Sequence, residues 1–304
     1  MGNDKYKQNN YPLMQDNIIY HIEKIVSRFI GSRWEIKVYE DKTELASHNC
    51  GIMSDGDYSV FVKLSDAPNA RDQFECEARE LNKIRELSEV KTPLVIGIIT
   101  IRENVLLIME AFKEVKRESR HWRDIGRSLA KLHKIKSENF GFENHGYFGP
   151  LFQDNRPMAD WETFYIERRV LPYLKMAVNS GNLPKYLIGK IKKLVKKIPD
   201  LNGPKVKPSL LHGDAQQNNY ISTEEGTVII DTSLYYGHPE VDLSLIDYFQ
   251  PVPDDVFQGY QEIRKLDPGF ETRKDLYRIS SWLACVTVDG SYLNNLKSAV
   301  NKYI

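Results

Sequence analysis

The segment His212-Gly213-Asp214-Ala215-Gln216-Gln217-Asn218-Asn219 sets an aspartate five positions before an asparagine, directly after the apolar pair Leu210-Leu211. That spacing suits phosphoryl transfer, in which a carboxylate orients an attacking hydroxyl and accepts its proton while an amide oxygen helps hold a metal on nucleotide phosphates. Asp214 is the candidate base and Asn219 a candidate metal ligand. Tyr220-Ile221-Ser222, the turn Thr223-Glu224-Glu225-Gly226 and the apolar run Thr227–Ile230 then read as a hairpin ending at Asp231. Such a hairpin returns Asp231 to the side of Asn219. A carboxylate and an amide side by side form a hard-oxygen site of the kind that takes Mg²⁺ with several of its waters and the substrate phosphates. His-Gly-Asp alone is ordinary turn chemistry. The joint pattern of strand, Asp, later Asn and hairpin-borne Asp is what points to catalysis.

Phosphoryl transfer from a nucleotide also needs a cation on the phosphates. Tyr58–Leu64 alternates as a half-buried strand, and Lys63 inside it has a packed stem and an ammonium to aim. The competing reading is an edge-strand lysine that blocks aggregation. Phe74, Ala78, Leu81, Ile84 and Leu87 recur at helical spacing, which predicts a helix from about Asn69 to Leu87. Glu77 lies beside its apolar face, one turn before Leu81, and is preferred over Glu75 as the partner that fixes Lys63. Leu94–Ile101 and Val105–Met109 predict a hairpin around Arg102-Glu103-Asn104. It leads into Glu110 and Phe112, where backbone groups would meet an adenine, although a lone aromatic at a strand end is more often core. A turn over Leu45–Ile52 is placed to cover phosphates but keeps only Gly51, so that Ser47, His48 and Asn49 would have to donate from side chains; a plain surface turn explains them as well. Asp55-Gly56 predicts a hairpin tip before the lysine strand, and Ile18, Ile22, Ile25, Val26 and Ile30 predict an initial helix.

On these stretches the chain resembles the aminoglycoside phosphotransferase-like branch of the protein-kinase superfamily, and in detail it is similar to fructosamine kinases, also called ketosamine-3-kinases. The likeness is carried by Val60-Phe61-Val62-Lys63, by the Asp214 loop, by Ile230–Leu243 with its Asp231 and its Tyr235-Tyr236-Gly237-His238, and by Phe140-Gly141-Phe142 with Asp160–Tyr165. It covers nearly the whole chain after about Glu35. The resemblance implies an α+β, two-lobed protein-kinase-like fold, with a small antiparallel-sheet N-lobe carrying one main helix and a mostly helical C-lobe. The boundary is expected at 112/113. It also implies ATP and Mg²⁺, a sugar-like hydroxyl acceptor, and an Asp242 that braces the catalytic loop. Tyr235 and His238 are carried over as acceptor-side residues, and Gln216, in the changed loop, and Trp161, near the aperiodic stretch after Phe140, are further candidates there. Fructosamine kinases usually place Leu-Trp-Ser-Gly where this chain has Ala215-Gln216-Gln217-Asn218, and a glutamine amide favours hydrogen bonding over stacking. The expected activity is transfer of the γ-phosphate of ATP to a ketosamine hydroxyl; aminoglycoside phosphorylation and a silent nucleotide-binding pseudokinase are the alternatives.

The rest of the chain agrees with an enzyme of this size. At 304 residues it can build two cores, and its 42 basic and 42 acidic residues give no general surface for nucleic acid or anionic membranes. No apolar run approaches a bilayer span and the N-terminus lacks a signal-peptide core, so a cytoplasmic monomer or weak dimer is expected. The lysines of Lys190–Lys197 read as the solvated face of an amphipathic helix. Cys50, Cys76 and Cys285 form neither a metal nor a disulfide pattern, and Cys50, in the phosphate-covering turn, is the candidate for redox sensitivity. Arg123–Ile135 predicts a helix with His133 packed inside. Phe140–Pro157, aperiodic and rich in glycine and aromatics, predicts a long functional loop with Gln153 and Asn155 on the acceptor side. Helices are further predicted over Asp160–Ser180, Pro184–Ile198, Leu243–Phe249, Pro253–Leu266 and from about Arg273 to the C-terminus.

Overall fold

The computed structural model describes residues 12–45 and 48–304, so Ser47 lies outside the described residues. Its backbone contacts form two compact units, one up to residue 83 with 92–114, the other 84–91 with 115–304.

In the first unit, helix α1 (Asp16–Ile30) buries Ile18, Ile22 and Val26 at four-residue intervals and stops at Gly31, whose left-handed backbone returns its N–H to the Ser27 carbonyl. Strands β1 (Val38–Asp41), β2 (Asn49–Ser54), β3 (Ser59–Ser65), β4 (Val95–Ile101) and β5 (Asn104–Glu110) form an antiparallel sheet in the order β1-β2-β3-β5-β4. Strand period decides which helix each face meets. Val60, Val62, Leu64, Leu106 and Ile108 pack with the α1 residues and Trp34, whereas Phe61, Val105, Leu107 and Met109 pack against Phe74 and Leu81 of helix α2 (Ala70–Leu87). Lys63 is in register with Phe61, so its side chain is sent toward α2.

The expected phosphate-covering turn is shorter than the sequence suggests. Asn49–Ile52 already belong to β2, paired with Leu64–Phe61, and Cys50 is buried opposite Lys63. Gly51 has a packing reason to be glycine, because a Cβ there would lie 2.5 Å from the Tyr39 ring. His48 sits at the end of the turn with its ring edge-on to Phe74 at 5.5 Å.

The second unit carries helices α3 (Ser119–Lys134), α4 (Trp161–Tyr165), α5 (Leu171–Asn179), α6 (Lys185–Leu201), α7 (Glu240–Leu245), α8 (Asp255–Gln261), α9 (Phe270–Asp289) and α10 (Leu293–Tyr303) around one large core. Three ribbons complete it: β6 (Gly146–Phe148) with β7 (Leu151–Gln153), β8 (Ser209–Leu211) with β11 (Tyr235–Gly237), and β9 (Tyr220–Thr223) with β10 (Gly226–Ile229). The stretch 140–157 is therefore not a structureless loop but contains a short hairpin. The helix expected over 160–180 passes through a π turn at Ile166–Val170. The helix expected from about 273 to the end is two helices, broken where Gly290 (φ 79°) and Tyr292 (φ 59°) turn left-handed. Among the described residues, no helix is long and apolar enough to cross a membrane.

Candidate active site

Strand β8 delivers the chain to a turn that is held from below. Asp242, fully buried in α7, accepts the His212 N–H (2.7 Å) and the Gly213 N–H (3.0 Å). His133 reaches the same carboxylate through Nε2 at 3.1 Å, and its Nδ1 lies 2.8 Å from the Tyr260 hydroxyl. Burial holds the His133 pKa down. A neutral ring must then donate from Nε2 to the acceptor-only carboxylate and accept from Tyr260 at Nδ1. Gly213 is required: its φ is 82°, and a Cβ would come 1.8 Å from the Ser233 carbonyl, while the Ser233 N–H is donated to the His212 carbonyl at 2.8 Å. The segment after Asp231 is thereby clamped onto the turn.

Asp214 emerges half-buried from this support. The Asn219 amide donates to the Asp214 carbonyl (2.8 Å), to Asp214 Oδ2 (3.1 Å) and to the Asp231 carbonyl (3.4 Å). The hairpin β9–β10 makes this convergence, since the Ile230 N–H returns to the Asn219 carbonyl at 3.1 Å. Burial raises the Asp214 pKa to about 7; the Asn219 and Gln216 hydrogen bonds oppose that rise, and the charges of Asp231 and Asp242 add to it. Gln216 Nε2 stands 3.5 Å from Asp214 Oδ2. Asp231 itself has φ 52°, a left-handed backbone that aspartate tolerates better than most residues and that marks functional turns.

The same geometry tests whether a metal fits. The nitrogen of the Asn219 amide is committed to Asp214 and to the main-chain carbonyl of Asp231, which leaves its oxygen as the end available to a cation. Among the described residues, no group of three or more His, Cys, Asp or Glu side chains could hold a metal. Asn219 and Asp231 together would offer one amide and one carboxylate, a set that suits an ion keeping waters and phosphate oxygens.

In the first unit, Lys63 Nζ meets both oxygens of Glu77, at 2.8 and 3.0 Å, with both side chains largely buried. Glu75 pairs instead with Arg71 on the surface of α2. Glu110 ends β5, with its N–H on the Leu94 carbonyl, and the Ala111 N–H is taken by Ser59, so Phe112, half-buried, is the first residue past the sheet's own bonding.

Three acceptor-side expectations meet a different environment. Trp161 is 4 % exposed, donates Nε1 to Asn202 Oδ1 at 3.1 Å and stacks with Phe164 and Tyr165. His238 is 1 % exposed, lies on the Tyr277 ring at 5.2 Å, and burial pushes its pKa down to about 3. Tyr235 is 2 % exposed beneath the Arg169 guanidinium, 4.0 Å from its ring. These residues are interior packing, and a substrate could not reach them without unfolding the core around them. Gln153 and Asn155 are buried too, bonded to Tyr173 and Leu234. Residues that sequence spacing did not flag also support the site. Arg117 donates to the Tyr220 carbonyl and, at 3.2 Å, to Ser222 Oγ, fixing β9, and Gln217 Nε2 reaches the carbonyl and side chain of Gln250, each at 3.4 Å.

Comparison with known proteins follows the same lines. The family model for fructosamine kinase matches residues 18–304. The chain belongs to the fructosamine kinase family. A "probable ketoamine kinase" of Vibrio parahaemolyticus is 29 % identical over 257 residues, covering 83 % of this chain and 88 % of the relative. Mouse ketosamine-3-kinase is 27 % identical over 251 residues, covering 74 % and 81 %. A solved structure described as a "putative fructosamine-3-kinase" of Thermobifida fusca superposes with a TM-score of 0.81 at 28 % identity, over 93 % of this chain and 98 % of that one. A thermostable mutant of the aminoglycoside phosphotransferase APH(4)-Ia, 13 % identical over 92 % of this chain and 96 % of that one with a TM-score of 0.60, shares the fold alone. This fructosamine kinase family member therefore has the kinase-like α+β fold and transfers phosphate to a hydroxyl group.

Proposed function

We propose that the protein is an ATP-dependent ketosamine kinase in which Asp214 is the base. The observation that carries this reading is the Asp214–Asn219–Asp231 arrangement: a half-buried carboxylate with its pKa raised to about 7, oriented by an amide that also reaches the main-chain carbonyl of Asp231. A base poised near neutrality removes a hydroxyl proton efficiently while remaining substantially ionised. The acceptor oxygen bonds to the γ-phosphorus as its proton passes to Asp214, the bond from that phosphorus to the β–γ bridging oxygen breaks, and ADP leaves. Lys63, kept in place by Glu77, holds the α/β-phosphates, with His48 and Asn49 at the phosphate edge and Glu110 and Phe112 at the adenine. Asn219 and Asp231 would hold Mg²⁺, which would supply charge neutralisation at the phosphates. Gln216, beside the base, is the acceptor-side residue retained from the sequence reading.

The test is ATP consumption by the purified protein against fructosyl-lysine, ribosyl-lysine and several aminoglycosides, with mass spectrometry for product and Asp214→Asn as control. Phosphorylated ketosamine supports the reading. Phosphorylation of an aminoglycoside instead, or binding of Mg-ATP without any product, overturns it.

A further inference from the structure

Asp242 is one support of the catalytic turn, and a second reaches it from the β6–β7 hairpin. Ser233, two residues after Asp231, is the joint. On one side its N–H is donated to the His212 carbonyl at 2.8 Å, and its own carbonyl lies so near Gly213 that no Cβ would fit between them. On the other side its hydroxyl is donated to the Tyr147 carbonyl of β6 at 2.5 Å and shared with Gln153 Oε1 of β7 at 3.0 Å. Gln153 Nε2 in turn donates to the Tyr173 hydroxyl of α5 at 3.0 Å.

Ser233, Gln153 and Tyr173 are all buried, where polar groups are costly unless bonded. Apolar side chains would seal the same space without that cost. What hydrogen bonds add is a fixed distance and direction between the parts they join. The hairpin does not depend on Ser233 to stay in place. Past Gln153 the chain is tied by Asn155, whose Nδ2 donates to the Leu234 carbonyl at 3.4 Å and whose Oδ1 accepts from Arg169 at 2.6 Å. Arg169 also donates to the Asp154 carbonyl at 3.1 Å, and it comes from the π turn at Ile166–Val170, an irregularity frequent at functional sites. The Ser233 hydroxyl thus joins two supported parts, the hairpin held through Arg169 and the turn held by Asp242. Its loss should loosen their register and unfold neither.

We propose that Ser233 is a positioning residue for phosphoryl transfer: its hydroxyl locks the turn carrying Asp214 to the β6–β7 hairpin, so that Gln153 helps set where the base stands. This deepens the kinase reading and rests on it, since Asp214 is taken as the base. Ser233 and Gln153 touch no reacting atom in it and act through the His212-Gly213 backbone. A base displaced by a fraction of an ångström loses the alignment that proton transfer needs.

The experiment uses the full-length protein with Ser233→Ala, Gln153→Leu and the double variant. Amide hydrogen exchange is read first, because it needs no substrate. Exchange in residues 212–214 should quicken roughly three- to thirty-fold in both single variants, although the Gln153 side chain bonds Ser233 and Tyr173 and not that segment. Quickening confined to the hairpin in Gln153→Leu overturns the proposal. Kinetics with fructosyl-lysine are read second. Each single variant should lose kcat by roughly five- to thirty-fold with the KM for ATP held, and the double variant should fall no further, because two changes that open one link do not add. Losses that multiply in the double variant would make the two side chains independent packing residues and also overturn it. Tyr173→Phe keeps the ring and removes only the outermost hydroxyl, so it should show both effects in smaller measure, and it decides the matter if the other variants fail to fold. A wild type that phosphorylates no ketosamine ends the ketosamine-kinase reading, while the exchange result still decides the link through Ser233.

Discussion

The catalytic turn and the aromatic interior around Trp161 use the same kinds of side chain to opposite ends. Each joins histidine, acidic or amide groups and tyrosine through short hydrogen bonds. In the interior the bonds end within the core: Trp161 on Asn202, Tyr277 on the Asn202 carbonyl, and His238 accepting the Glu240 N–H at 3.2 Å. At the turn they end on a carboxylate that stays half-exposed. Asp242 and His133 hold the backbone, and the polar reach of the buried groups is passed up to Asp214. What separates the two is exposure: the cluster at the turn ends on a carboxylate that solvent still reaches, whereas the rings around Trp161 are closed over.

Separating the two regions by substitution gives the largest effects. Asp214→Asn should lower kcat by roughly 10²- to 10⁴-fold without lowering the unfolding temperature, because the base is lost while a near-isosteric amide remains and the cost of desolvating a charge is removed. Steady-state kinetics beside a melting curve check it. Trp161→Ala should do the reverse, costing about 3–5 kcal/mol in urea unfolding through the cavity it leaves, with the acceptor KM of the still-folded fraction unmoved. A selective change in acceptor KM at Trp161 would return that residue to the site and collapse the distinction.

Asp242→Ala tests the connection between them. It strips the acceptor from two buried backbone N–H groups and from His133, so a destabilisation of about 3 kcal/mol is expected together with reduced kcat. Asp242→Asn should recover part of the stability, since its carbonyl oxygen still accepts one of those bonds. Rescue of stability without rescue of kcat would locate the function of Asp242 in aligning the turn rather than in holding the fold.

These two regions also differ in how far the sequence disclosed them. Asp214, Asn219 and Asp231 lie on a strand, a turn and a hairpin whose lengths are fixed locally, so spacing alone brings them together. Lys63 and Glu77 follow from strand and helix periods in the same way. Trp161, Tyr235 and His238 were misplaced because whether a polar aromatic residue lines a cleft or fills a core depends on what packs over it, and Tyr277, which covers His238, arrives from α9 nearly forty positions later. The break between α9 and α10 went unread for a related reason: Gly290 is a visible stop signal, but the left-handed Tyr292 after it has no local propensity to announce it. The turn before β2 looked like a glycine loop worn away because Gly51 answers to the Tyr39 ring, a neighbour on another strand.

The smallest effect gives the finest test of how the turn is tuned. With the Asp214 pKa raised to about 7, kcat/KM should increase with pH and level off above that value, since only the ionised carboxylate accepts the hydroxyl proton. Gln216 donates to the ionised form across 3.5 Å, a long and therefore weak hydrogen bond. Gln216→Leu withdraws that donor, so the acid limb should move upward, by less than about one pH unit because the Asn219 bond remains. Gln216→Glu replaces the donor with a like charge and should move the limb further in the same direction. A limb that moves downward in either variant would mean that the titrating group is not Asp214, and it would separate the base from the carboxylate that the turn so carefully supports.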